Sequence, residues 1–189
     1  MRKIKVAVFT AILLILPHFP ASSQPDENLK IVIEEGIVEG DAATLSFRIS
    51  NPYSPELMEI IKSGIEVKFE YEILIRRVHK NWFNRTVGEE NILRKIMYDP
   101  LADEFVVEDG TGKGKKFFRT LHAAAMAFFS FHDLRVLLSP VSVSGKKYEV
   151  SVRAQLEDLD VTGIFKFIPF VSNWFRVKTD WARLRVKAR

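Results

Sequence analysis

The sequence predicts an α+β protein, mainly β: an antiparallel sheet or sandwich of about seven strands with two short helices. Three observations predict it. Long runs alternate apolar and polar residues, which puts successive side chains on opposite faces of a strand. Only two stretches carry helix punctuation. Strand-like runs also follow one another without regular helical spacers, so the β-α-β rhythm of a parallel sheet is absent.

The chain opens with Arg2, Lys3 and Lys5, then an apolar run of 11 residues, Val6 to Leu16, ended by Pro17. Ala21 and Ser23 supply small residues at the −3 and −1 positions of a cleavage site. Residues 1–23 therefore read as a secretory signal peptide cut before Gln24; a bilayer span needs roughly 20 apolar residues. Residues 24–28, "QPDEN", are a flexible leader, and residues 29–189 form one β-rich domain. Cleavage leaves 25 basic against 24 acidic residues, a net charge of +1 instead of the +4 of the whole chain. Such a balance does not call for nucleic acid.

"LKIVIEEGIVEGDAATLSFRIS" gives two strands around a turn at Gly40 and Asp41. "SPELMEIIKSG" is a short helix, capped by Ser54, started by Pro55 and stopped by Gly64. From Ile65 to Ile75 every odd residue is apolar, with charged residues at 66, 68, 70 and 72, the pattern of a strand with one wet face. "NWFNRTVGEE" reads as a loop. "NILRKIMYD" and "DEFVVED" are strands around the turn "DPLA".

"EDGTGKGKK" follows. Gly110 and Gly114 are one residue too close for a phosphate-binding P-loop, and Lys116 stands where Ser or Thr is needed. The spacing of Gly110, Gly112 and Gly114 also misses the dinucleotide fingerprint, so the stretch reads as a lysine-rich loop and no nucleotide is expected. "FRTLHAAAMAFFSFHDL" is the second helix, with Thr120 as its cap. "KKYEVSVRAQLED" alternates again. "FRVKTDWARLRVK" closes the chain as a strand, with Arg183, Arg185 and Lys187 on the face opposite Ala182, Leu184 and Val186.

Chemistry is sparse. With no cysteine there is no thiolate, disulfide, Cys-based metal site or lipid-bearing Cys, which suits a bacterial envelope protein held by its core. His122 and His132 lie ten apart, not at the i, i+4 spacing of a zinc helix, and His79 sits among Arg76, Arg77 and Lys80. "VSVSG" is a turn and not a nucleophile elbow. Asp158 and Asp160 form a polar strand end. We expect no enzyme, no catalytic or metal-binding residue and no cofactor.

The unusual segment is "IFKFIPFVSNWF", residues 164–175. Phe165, Phe167, Ile168, Phe170, Trp174 and Phe175 keep neither a strand nor a helix period. It reads either as a lid over the core or as an apolar surface that meets a partner. Together with Arg76 and Arg77 it marks the candidate interaction surface. Two functions follow: a non-catalytic envelope module docking on a membrane protein or the membrane surface, or a periplasmic carrier of a lipid or other apolar ligand. The Ala-rich stretch "LHAAAMAFFSF" would leave a carrier room for a chain, or pack a helix tightly on a sheet.

In order along the chain, "NPYSPELMEIIKSGIEVKFEYEILIRR", "NWFNR", "YDPLADEFVV", "YEVSVRAQLEDLDV" and "SNWFRVKTDW" resemble the blocks of a bacterial family of exported proteins of unknown function, DUF4390. The likeness runs from Leu29 to Trp181. "VTGIFKFIP" replaces the family's Leu-Pro-x-Pro step, and Thr179 stands where Ser is common. The resemblance carries over no catalytic residue. It implies periplasmic or envelope localisation and, since members are often encoded beside a membrane sensor kinase, a membrane-protein partner of that kind.

Overall fold

A computed structural model describes residues 29–52, 55–80, 83–111, 114–157 and 178–189. The signal peptide, Asp158, Asp160 and the aromatic segment 164–175 lie outside the described residues. The fold is mainly β, with two antiparallel sheets in a sandwich-like arrangement and two short helices. A three-stranded sheet has the order β1 (Lys30–Glu39), β2 (Ala42–Ser50), β7 (Ser130–Leu137). A six-stranded sheet has the order β6 (Gly114–Phe118), β5 (Glu104–Asp109), β4 (Arg85–Asp99), β3 (Val67–Arg77), β8 (Lys147–Leu156), β9 (Ala182–Lys187). The helices are α1 (Pro55–Lys62) and α2 (Leu121–Phe129).

Alternation sets the core. Val67, Phe69, Tyr71, Ile73 and Ile75 on β3 are fully buried, as are Val150, Val152 and Ala154 on β8. The two sheets meet through rings: Phe47 stacks on Phe131 at 4.6 Å, and Tyr71 meets Phe131 edge-on at 4.8 Å. Phe69 meets Phe128 at 5.8 Å and Phe129 at 5.7 Å, so α2 covers the part of the large sheet beyond β7. Offset and edge-to-face contacts of this kind add about 0.5–1.5 kcal/mol each beyond the area they bury. β9 keeps its expected faces, with Ala182, Leu184 and Val186 half-buried and Arg183, Arg185 and Lys187 exposed.

Nine strands stand among the described residues instead of about seven. The expected loop 81–90 is a strand from Arg85 onward, because β4 pairs along the whole of β3, from Val67 opposite Ile96 to Arg77 opposite Arg85. A bulge at Ile75 and Arg76 absorbs the extra residue. The ladder overrides a stretch, Val87 to Glu90, that has no alternation of its own.

The second helix ends at Phe129 and does not run to Leu134. Thr120 caps its start by accepting from the Ala123 amide. From Ser130 the chain pairs with β2, burying Phe131, Leu134 and Val136. The adjacent exposed residues His132 and Asp133 interrupt the alternation where the register shifts, which hides the strand in the sequence. His132 therefore lies on β7 and not at a helix end.

The lysine-rich loop is a hairpin. Lys115 and Lys116 belong to edge strand β6, which pairs with β5 from Asp109 opposite Gly114 to Phe105 opposite Phe118. Charged side chains on an edge discourage pairing with another chain. A Cβ at Gly110 would stand 2.2 Å from the Leu93 carbonyl oxygen, so only glycine lets the turn leave β5 beside β4. Gly110→Ala should therefore displace backbone and lower stability by about 1–3 kcal/mol in urea unfolding; unchanged stability would contradict the close approach.

Candidate functional site

Two polar features stand out, one inside the fold and one at its end. Arg94 faces the core between Ile92 and Ile96 and is 6% exposed. Its Nη2 donates to Asp109 Oδ2 at 2.9 Å, the residue directly opposite on β5. Its Nη1 donates to the carbonyls of Ala127 at 3.0 Å, Phe128 at 3.2 Å and Ser130 at 2.5 Å. Its guanidinium stacks 3.3 Å from the centroid of Phe131. The Tyr71 hydroxyl also donates to the Phe128 carbonyl, at 3.3 Å.

These contacts explain the end of α2. A helix leaves its last carbonyls without partners, and α2 runs straight into β7 with no glycine to fold back on them. A cation at the negative end of the helix satisfies them instead. Burial pushes Asp109 toward a higher pKa, but the Arg94 hydrogen bond and charge, with the Thr111 amide, hold its carboxyl below the usual range. Burial raises the Tyr71 phenol, against the opposing charge of Arg94. Perturbed groups of this kind suggest chemistry in an open cleft. Here Asp109 is bonded to Arg94 and to the Thr111 amide, and Tyr71 to the Phe128 carbonyl, while the buried Arg94 Nε has no hydrogen-bond partner among the described residues.

The second feature is a groove of about 730 Å³ where β3 ends, β8 begins and β9 ends. Its lining includes Arg77, Lys80, Lys146, Lys147, Arg185 and Lys187, with His79, and among the described residues no carboxylate. Register builds it. Arg77 stands opposite Tyr148, Lys147 opposite Lys187, and Arg185 opposite Glu149. Backbone bonds hold the rim: Val78 N–H to the Lys147 carbonyl at 2.9 Å, Gly145 N–H to Ala188 at 3.0 Å, and Ala188 N–H to Lys146 at 2.9 Å. The Val143 N–H donates to the buried Tyr148 hydroxyl at 2.9 Å, which ties down the β7–β8 connection. Among the described residues, only Arg185 of the six cations pairs with a carboxylate, Glu149 at 3.3 Å. Like charges directly opposite on a sheet are destabilising, so Lys147 and Lys187 do not serve the ladder. An open groove of this sign attracts anions.

Of the residues expected at an interaction surface, Arg77 lines this groove, and Arg76 lies beside it, opposite Glu149. Phe165, Phe167, Ile168, Phe170, Trp174 and Phe175 lie outside the described residues. The lysines of the groove escaped the sequence reading. Their signal was three short basic runs, "RRVHK", "GKK" and "RLRVK", each at a strand end. Among the described residues no group of three His, Asp or Glu side chains could hold a metal ion.

A family model described as a domain of unknown function, DUF4390, matches residues 31–185. No curated protein matches the chain, and no solved structure does.

The buried pair yields two expectations. Arg94→Ala strands Asp109 and the α2 carbonyls, and should cost about 3–5 kcal/mol in chemical unfolding. Because the folded pKa of Asp109 is depressed, its contribution is present above the unfolded value and is lost as pH falls through the folded one. Urea midpoints should therefore drop as pH falls below the ordinary carboxylate value of about 4, and the Asp109→Asn variant should show a smaller drop.

Proposed function

The chain belongs to the DUF4390 family, and we propose that it is a non-catalytic, exported module of the bacterial cell envelope that docks on a membrane protein. The observation that carries this reading is the basic groove at the β3–β8–β9 end, a recess with six cations and, among the described residues, no lining carboxylate. Anionic groups of the partner would enter it. Steering by such a field speeds encounter more than it tightens the complex. Export rests on the N-terminal pattern of Arg2 to Ser23, and a sensor kinase is the partner the family resemblance suggests. Phe167, Phe170 and Trp174 remain the apolar part of the proposed contact.

A carrier for an apolar ligand is the second reading. It would use the space between α2 and the large sheet. Ala124, Ala125 and Phe128 are fully buried there, with Phe129 at 2% exposure, and their rings pack on Phe69. Close packing of that region favours docking.

The test is photo-crosslinking in the native cell from Lys80 and Lys146, and from Phe167 and Trp174, with mass spectrometry of the adducts. Leu101, 98% exposed in the β4–β5 turn, is the control position. We expect one discrete membrane-protein adduct from the groove positions and none from Leu101. Absence of a protein adduct at every groove position would sink the docking reading.

A further inference from the structure

We infer that the groove end of the molecule binds the anionic phospholipid headgroups of a bilayer surface. This rests on the docking reading above and names the surface on which docking takes place. Beside the six cations of the groove, the same end exposes apolar side chains: Phe83 at 88%, Val141 at 56% and Val143 at 42%. They sit in the two connections that carry the lysines. Phe83 follows Lys80 in the β3–β4 connection, which is closed by the His79 amide donating to Asn84 Oδ1 at 3.4 Å. Val143 precedes Lys146 in the β7–β8 connection, whose turn is closed by the Lys146 amide on the Val143 carbonyl at 3.1 Å.

The two connections lie side by side. Val78 donates to Lys147 and Ser139 donates to Val87, so the chain on either side of each connection is hydrogen-bonded to the other. Ser142 in turn donates to Gly40, which brings the β1–β2 turn to the same end. Cations and apolar side chains are thus presented together by adjacent segments. A soluble polyanion would use the cations and leave an exposed phenylalanine in water. A bilayer interface satisfies both, with phosphates against Lys and Arg and the ring at the acyl boundary.

The charge at the two ends of the large sheet agrees. At the far end, the β4–β5 turn carries Asp99, Asp103 and Glu104 around Leu101. Among the described residues the groove end also carries Glu39 and Asp41 at the β1–β2 turn, with Asp41 paired to Arg135, but neither lines the groove, so an anionic surface meets the six cations there. Juxtamembrane cations strengthen binding to anionic lipid by roughly fivefold each.

Co-sedimentation of the purified protein with vesicles tests this. The probes are phosphatidylcholine vesicles and equimolar phosphatidylcholine–phosphatidylglycerol vesicles. We expect binding to the anionic vesicles only, weakening as salt rises. Lys80→Gln with Lys146→Gln should lower partitioning about 25-fold. Phe83→Ser should lower it about tenfold and leave its salt dependence unchanged. All three positions are exposed, and unchanged urea unfolding of each variant separates lost binding from lost folding. No binding to anionic vesicles, equal binding to both vesicle types, or binding indifferent to these substitutions overturns the inference. A protein adduct from Lys80 in cells without vesicle binding would overturn lipid contact and leave docking standing. Vesicle binding without any protein adduct would do the reverse.

Discussion

The Arg94 guanidinium is the interaction on which the rest of the structure depends. It sits on β4, pairs with Asp109 on β5, receives the last carbonyls of α2 and lies against Phe131 on β7. One side chain thus joins the large sheet, the helix and the small sheet. A buried charge is costly to desolvate, and a hydrophobic replacement can be more stable than a buried ion pair. Here the alternatives are narrower. α2 must stop at Phe129 for β7 to reach β2, and the stop leaves carbonyls inside the protein. A donor with several N–H groups in a fixed plane can serve them and a carboxylate at once.

That junction shapes the core around it. Because α2 and β7 share the inner face of the large sheet, rings from both meet the same row on β3. Phe131 contacts Tyr71, and Phe128 and Phe129 contact Phe69. The interior is occupied by aromatic and small residues at close range, with Ala124 and Ala125 bringing the helix near the sheet. The described inner faces are committed to packing, and the basic groove lies at the strand ends.

The strand ends are where the charges gather. The basic groove does not stabilise the sheet: Lys147 opposite Lys187 is an unfavourable cross-strand pair, and a single carboxylate, Glu149, meets one of the six cations among the described residues. Charges held against their own repulsion, on a rim fixed by backbone hydrogen bonds, are consistent with recognition of an anion. The exposed Phe83 and Val143 beside them give the same end an apolar component.

Local pattern by itself determined much of this protein. The two-residue period of Ile65 to Ile75 and of Tyr148 to Leu156 specified strands and their buried faces, because the pleat places alternate side chains on opposite sides. Pro55 and Gly64 marked helix ends through their own backbone preferences, and Thr120 through a hydroxyl that accepts from a first-turn amide. The sandwich class and the family followed from such blocks. β6, β7 and the first part of β4 did not, since each is a strand only because a neighbour offers a ladder: Lys115 and Lys116 beside β5, Phe131 to Val136 beside β2, Arg85 to Glu90 beside β3. Arg94, between Ile92 and Ile96, was readable as a charge at an inward position, but its partners lie 15 to 36 residues away. The groove is the same case. Arg77, Lys146 and Lys187 are ordinary strand-end residues one at a time, and only the register of β3, β8 and β9 makes them one surface, because pairing distant strands is a property of the assembled sheet.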